Sequence, residues 1–308
     1  MYSMIITREN CLNNRHTFRL FSLYFICFYI LIITLNLPPE NIHCMDLRKI
    51  CEEAVEVVRH TGDFIAGERT KFSIDKVEEK GQHNFVSYVD KEAESKLVGG
   101  LSRILPQAGF IVEEGTVKKK DKIYNWIIDP LDGTTNFIHG SPPYAISVAL
   151  MQEKEVILGI VLEIVMSELF YSYKGTGAFL NGKEIHVSKT KSVDESLIAT
   201  GFPYNNFTRL ESFMHSLEHF FLNSHGVRRL GSAATDLAYV ACGRYDTFYE
   251  YNLNPWDVAA GAFIVQQAGG RVSDFKGEND YIFGNEIVAS NNEVFNEFRR
   301  KVGEFMNE

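Results

Sequence analysis

From Met45 onward the apolar positions switch between two rhythms, and each switch marks an element. In LRKICEEAVEVVRHTGDFI, Ile50, Ala54, Val57, Val58 and Ile65 recur at helical spacing behind Asp46, a good N-terminal cap. FSIDKVEEKGQHNFVSYVD reads as a long loop or hairpin, and KEAESKLVGGLSRIL as a second amphipathic helix stopped by Pro106. GFIVEE, YNWIID, YAISVALMQ, VILGIVLEI and ELFYSYKG are short, rich in β-branched or aromatic residues and bounded by turn formers, which predicts strands. NFTRLESFMHSLEHFFLNS, SAATDLAYVACG and PWDVAAGAFIVQQAGG return to helical spacing, the last closed by a glycine pair. RVSDF and EIVAS predict two more strands, and NEVFNEFRRKV a final helix. Consecutive strands in the middle of an irregular alternation imply stacked α and β layers rather than a uniform βαβ repeat.

The first 44 residues do not share this pattern. Leu20 to Leu37 is almost wholly apolar behind Arg8, Arg15 and Arg19, and matches the minimum bilayer span of about 18 residues. It reads as a signal anchor or signal-peptide core, although no small-x-small cleavage site follows and His43 spoils a lipoprotein signal at Cys44. The other reading is an over-extended gene model whose natural start is Met45. The expected division is therefore an apolar leader over 1–44 and one domain over 45–308. The protein is cytoplasmic if it starts at Met45, and membrane-anchored through Leu20–Leu37 if the leader is real.

Composition narrows the function classes. With 308 residues, 45% hydrophobic and 23% charged, the chain is an ordinary globular protein, which excludes disorder, collagen and small disulfide scaffolds. A net charge of -9 argues against nucleic acid as a partner. The five Cys show no CxxC spacing, so neither a zinc site nor a disulfide framework is indicated.

The chemistry concentrates in acids at strand ends. In Trp126–Phe137, WIIDPLDGTTNF, an apolar strand delivers Asp129; Pro130 fixes φ, and Asp132 follows before Gly133. Two carboxylates from one tight loop suit a hard cation such as Mg²⁺, which takes oxygen ligands; an Asp-Pro turn followed by an Asp-Gly turn is the plainer alternative. Glu113 ends another apolar strand, and Asp257 falls in the first turn of an apolar helix, where it either joins the same site or only complements the helix dipole. Gly231, Ser232 and Ala233 open a further helix, either as an anion cradle of backbone N–H groups or as an ordinary Ser cap.

Taken in order, GFIVEE, WIIDPLDGTTNF, NGKEIHVS, GSAATDL and PWDVAAGAFIVQQAGG resemble the inositol monophosphatase family of metal-dependent, lithium-sensitive phosphatases. The resemblance covers Met45 to the C-terminus and implies an α-β-α-β-α sandwich, usually a homodimer, forming a catalytic domain. It implies two or more Mg²⁺ per subunit: Glu113, Asp129 and the Leu131 carbonyl at the first, and Asp129, Asp132 and Asp257 at the second. Gly133, Thr134, Gly231, Ser232 and Ala233 correspond to the residues around the substrate phosphate, with Leu131, Asp132 and Asp257 also lining the substrate and Glu250 facing its hydroxyls. Thr134 with Asp90 resembles the pair that orients and deprotonates the attacking water, with Glu113 beside it. The implied reaction is hydrolysis of a small phosphate monoester, myo-inositol 1-phosphate first, by direct attack of a metal-bound water. Asn84, Ser87, Gly115 and Ser232 depart from the family's usual residues.

Several rival readings compete. A nucleotide 3'-phosphatase or sugar bisphosphatase of the same superfamily is the near alternative, and a non-catalytic metal-binding scaffold the distant one. Gly177–Lys183 imitates a phosphate-binding loop, but Glu184 replaces the needed hydroxyl, and Asn181-Gly182 reads better as a hairpin turn. His215 and His219 are spaced as metal ligands but lack a third, which favours an ordinary helix face. The KKKDK run at 118–122 reads as a solvated loop.

Overall fold

Seven consecutive residues of YAISVALMQ, Ala145 to Met151, are buried, as are the eight from Val156 to Glu163. An antiparallel strand buried on both faces needs a layer on each side. In the computed structural model, which describes residues 45–72, 77–81, 84–203 and 206–306, these are the central strands β5 (Ala145–Gln152) and β6 (Glu155–Glu163) of a seven-stranded sheet. Its order is β3-β4-β5-β6-β7-β8-β9, with β3 (Gly109–Val112), β4 (Tyr124–Asp132), β7 (Glu168–Tyr173), β8 (Ala178–Leu180) and β9 (Lys183–Ile185). Only the β3–β4 pair is parallel. Asn181 and Gly182, both at positive φ, make the β8–β9 hairpin turn in place of a phosphate loop.

Helices α1 (Leu47–Arg69) and α2 (Tyr88–Ile104) pack together and cover one face of that sheet. Between them β1 (Val77–Gly81) and β2 (Asn84–Ser87) pair as a hairpin, one of the two shapes the sequence allowed. The short helix α3 (Thr134–His139) leaves the end of β4. A second sheet, of five strands, runs β11-β10-β12-β14-β13, from β10 (Leu197–Thr200), β11 (Gly226–Arg228), β12 (Thr247–Tyr251), β13 (Arg271–Ser273) and β14 (Glu286–Ser290).

Helices α5 (Ala233–Ala241) and α6 (Pro255–Gln267) lie between the two sheets, which is why α6 is buried without interruption from Val258 to Val265 and has no polar face. On the far side of the small sheet, α4 (Leu210–Leu222) and α7 (Phe295–Met306) pack through Phe213, Phe220 and Phe298 around Tyr249, whose hydroxyl meets Ser216 Oγ at 2.9 Å. The layers therefore run α-β-α-β-α. Among the described residues, no helix is long and apolar enough to cross a membrane; Leu20–Leu37 lies outside them.

Candidate active site

Asp129 and Asp132 are three residues apart, a spacing that puts side chains on opposite faces of a regular strand. The register on β5 shows how this is avoided: Asp129 faces Ser147 and Asp132 faces Ala145, so three residues of β4 oppose two of β5. That bulge at Pro130–Leu131 turns both carboxylates to one side. Asp129 is 2% exposed and its Oδ1 accepts from Leu131 N–H at 2.9 Å. Gly133, at φ +91°, then redirects the chain into α3; a β-carbon there would lie 3.1 Å from the Gly231 carbonyl oxygen.

Thr134 opens α3 with its hydroxyl 3.0 Å from both Asp90 Oδ1 and the Leu131 carbonyl. Asp90, 1% exposed on α2, is held in turn by the N–H and hydroxyl of Ser87 at 2.9 and 2.6 Å. Burial raises the Asp90 pKa, against the hydrogen bonds from Ser87 and Thr134. Ser87, which stands where the family usually has Thr, thus caps α2 and aims Asp90.

Asp132 reaches across to the other sheet's helices. Its Oδ2 accepts from Ser232 Oγ and from Ala234 N–H, both at 2.7 Å, and Ser232 Oγ also caps α5 at Thr235 N–H. The Ser cap is therefore present, and the same hydroxyl, with the Ala234 N–H, binds a carboxylate of the protein itself. Asp257 likewise combines its two readings. Its Oδ2 accepts from Asn254 N–H at 2.7 Å, capping α6, while the carboxyl lies in hydrogen-bonding reach of Asp129.

Burial dominates the electrostatics, and like charge reinforces it. Asp129 is pushed well above the usual carboxylate range by burial, then by Glu113, Asp132 and Asp257. Asp257 rises to about 7 through burial and Asp132. Asp132 rises to about 6 through burial, against the hydrogen bonds from Ser232 and Ala234 and the charge of Arg229. Such crowding suits a cation: Glu113, Asp129, Asp132 and Asp257 with the Leu131 carbonyl form an all-oxygen donor set, the chemistry Mg²⁺ takes. Among the described residues no group of three or more His, Cys, Asp or Glu side chains stands together closely enough to hold a metal ion.

Glu250, on β12 and 6% exposed, is raised well above its usual pKa by burial, then by Asp257 and Asp132, which places it on the same site. Gly201 lies against it, and a β-carbon at that position would fall inside the carboxyl group. Asp90, Asp129, Leu131, Asp132, Thr134, Ser232, Glu250 and Asp257 are thus linked to one another by hydrogen bonds or like charge, around the end of β4, β12 and the first turns of α3, α5 and α6.

Three contributors were missed. Asn136 donates to the carbonyls of Pro143 and Leu230 at 2.7 and 2.8 Å, tying α3 to the turn before Gly231. Asp236 on α5 is 1% exposed with neither oxygen hydrogen-bonded, and is raised by burial and by Glu250. Gly201 carries no chemistry to notice, whereas an Asp inside an apolar helix was a legible signal. His215 and His219 lie on α4, with His219 against Phe220 and Phe305, as an ordinary helix face would.

The chain belongs to the inositol monophosphatase family, whose sequence pattern matches residues 46–304. Membership places it among the phosphatases of that superfamily. It is 40% identical to Nus factor SuhB of Pseudomonas aeruginosa over 79% of this chain and 91% of that protein. To the inositol-1-monophosphatase of Mesorhizobium japonicum it is 41% identical, over 69% and 80%. The crystal structure of extragenic suppressor protein SuhB from Bartonella henselae superposes with a TM-score of 0.76 at 35% identity, covering 80% of this chain and 96% of that one.

Proposed function

We propose that the protein hydrolyses phosphate monoesters of polyols, with myo-inositol 1-phosphate first, using Mg²⁺ at two positions that share Asp129. The reading is carried by the bulge that sets Asp129 and Asp132 side by side, with Thr134 and Asp90 within hydrogen-bonding distance of one another. Glu113, Asp129 and the Leu131 carbonyl hold one cation; Asp129, Asp132 and Asp257 hold the other. Bound there, two cations would supply positive charge for the attacking and leaving oxygens at phosphorus. Glu113 and Thr134 place a water for direct attack. Thr134 accepts from that water and passes its own proton to Asp90, whose buried carboxylate gains from taking it up. Gly133, Gly231, Ser232 and Ala233 line the phosphate, and Glu250 accepts hydrogen bonds from the polyol.

Phosphate release measured with Mg²⁺ and with a chelator, over inositol phosphates, a sugar bisphosphate and a nucleotide 3'-phosphate, tests this reading. Turnover of the nucleotide or the bisphosphate in preference to inositol phosphates would move the protein to the neighbouring branch. The similarity to a protein called Nus factor SuhB favours a second role as a Nus factor, in which the fold is a scaffold. An Asp129→Asn chain that loses turnover but replaces such a factor separates the two. A homodimer belongs to the same proposal, and sedimentation checks it. So does a cytoplasmic location for a chain starting at Met45.

A further inference from the structure

We propose that Glu94 and Ser147 are positioning residues that hold the two cation positions independently, Glu94 by fixing Glu113 and Ser147 by fixing Asp257. The assignment rests on the two-cation reading above.

Glu94 lies on α2 and is fully buried, an unusual place for a carboxylate. Its two oxygens accept from the N–H groups of Glu114 and Thr116, each at 2.7 Å. These amides flank Gly115, at φ +68°, in the turn that begins directly after Glu113. On its other side, the Glu113 N–H bonds the Ile128 carbonyl of β4 at 3.3 Å. Residue 113 is therefore bracketed, by the sheet before it and by the Glu94 carboxylate after it. No bond within the α2 ladder requires an acid at 94; the two N–H groups of the turn do.

Ser147 does the corresponding work at the other ligand. It sits on β5 opposite Asp129 and is 1% exposed. Directly opposed residues share a face of the sheet. Its hydroxyl donates to the Trp256 carbonyl at 2.9 Å, one residue before Asp257. The first turn of α6 is thereby fastened to the strand that faces Asp129. The two ties run between different elements, α2 to the turn after β3 and β5 to α6, and share no atom. Loosening one leaves the other intact.

Losing a residue that orients a metal ligand weakens binding by about 10–100-fold. Calorimetric titration of the full chain with Mg²⁺ reads each step, with the metal-free melting temperature as the folding control. The wild type is expected to show two steps. Glu94→Gln should weaken one step by about 10–100-fold and leave the other nearly unchanged. Ser147→Ala should weaken the opposite step, and the double variant both. Should Glu94→Gln not fold, Thr116→Pro removes one of its two bonds from an exposed position and reads the same step. Variants that fold and leave both steps unmoved, or weaken both alike, overturn the assignment. A wild type without two steps overturns the two-cation reading itself, and this assignment with it.

Discussion

The two sheets bring acids to the same place but hold them differently. Around the end of β4 the carboxylates are tied to backbone or hydroxyl donors: Asp129 to Leu131 N–H, Asp132 to Ala234 N–H and Ser232, Asp90 to Ser87. On the small-sheet side Glu250 is confined sterically beneath Gly201, and Asp236 is buried with no hydrogen bond to either oxygen. Directional bonds suit groups that, in the proposed function, would meet a cation or a proton. Packing suffices for a wall that only has to be acidic and fixed in place.

That contrast predicts unequal costs. Asp129→Asn should reduce turnover by about 10²–10³ or more, because both cation positions lose their shared ligand. Phosphate release at saturating Mg²⁺ checks it, and near-normal activity would break the β4 side of the comparison. Asp90→Asn and Thr134→Ala should each lower kcat by about 10²–10⁴ with KM little changed. Their double variant should be scarcely worse than either, since the pair acts as a unit.

On the small-sheet side the effects should be milder. Gly201→Ala displaces Glu250 and should raise KM for a polyol phosphate about tenfold while kcat changes less. A larger loss in kcat than in affinity would mean that Glu250 serves the chemistry rather than the wall.

Asp236→Asn should change metal-free stability with a definite sign. The folded pKa of Asp236 is raised well above the unfolded value of about 3.9, so the folded state is penalised increasingly as pH rises above that value. The variant should therefore gain stability over the wild type as pH rises from about 4 to about 8, with the gain smallest near pH 4. Asp132 and Asp257, raised to about 6 and about 7, push the same way. Without metal, the stability they contribute is present at about pH 4 and lost as pH climbs through 6 to 7. Thermal melts across pH without and with Mg²⁺ read both effects. The smallest change is expected for a chain beginning at Met45, whose turnover should equal that of the full chain, since every site residue lies downstream.

Five strands of the large sheet were legible because they are apolar and bounded by turn residues: GFIVEE, YNWIID, YAISVALMQ, VILGIVLEI and ELFYSYKG became β3 to β7. Strands β10, β11 and β12 of the small sheet have no counterpart among the predicted strands, although β13 and β14, equally short, are legible in RVSDF and EIVAS. Helix α3 was hidden inside the WIIDPLDGTTNF signature, where turn residues predicted only a loop. Helix α2 begins three residues before its predicted start, because Ser87 and Asp90 cap each other, a pairing masked by the apolar alternation around them.

By itself the sequence determined which side chains carry charge, which segments must be buried and which loops turn, because composition, periodicity and φ preference are local properties. It therefore singled out Glu113, Asp129, Asp132 and Asp257 as acids at element ends, although Asp129 lies inside β4, which runs on to Asp132. What only the tertiary structure decided was their meeting and their aim. The bulge at Pro130–Leu131 puts Asp129 and Asp132 on one face, Ser232 takes one oxygen of Asp132, Glu94 straps the turn after Glu113, and Gly201 leaves room for Glu250. Each of these joins residues far apart in the chain, or depends on a register shift, and register is fixed only when two sheets and the helices between them close on a common core.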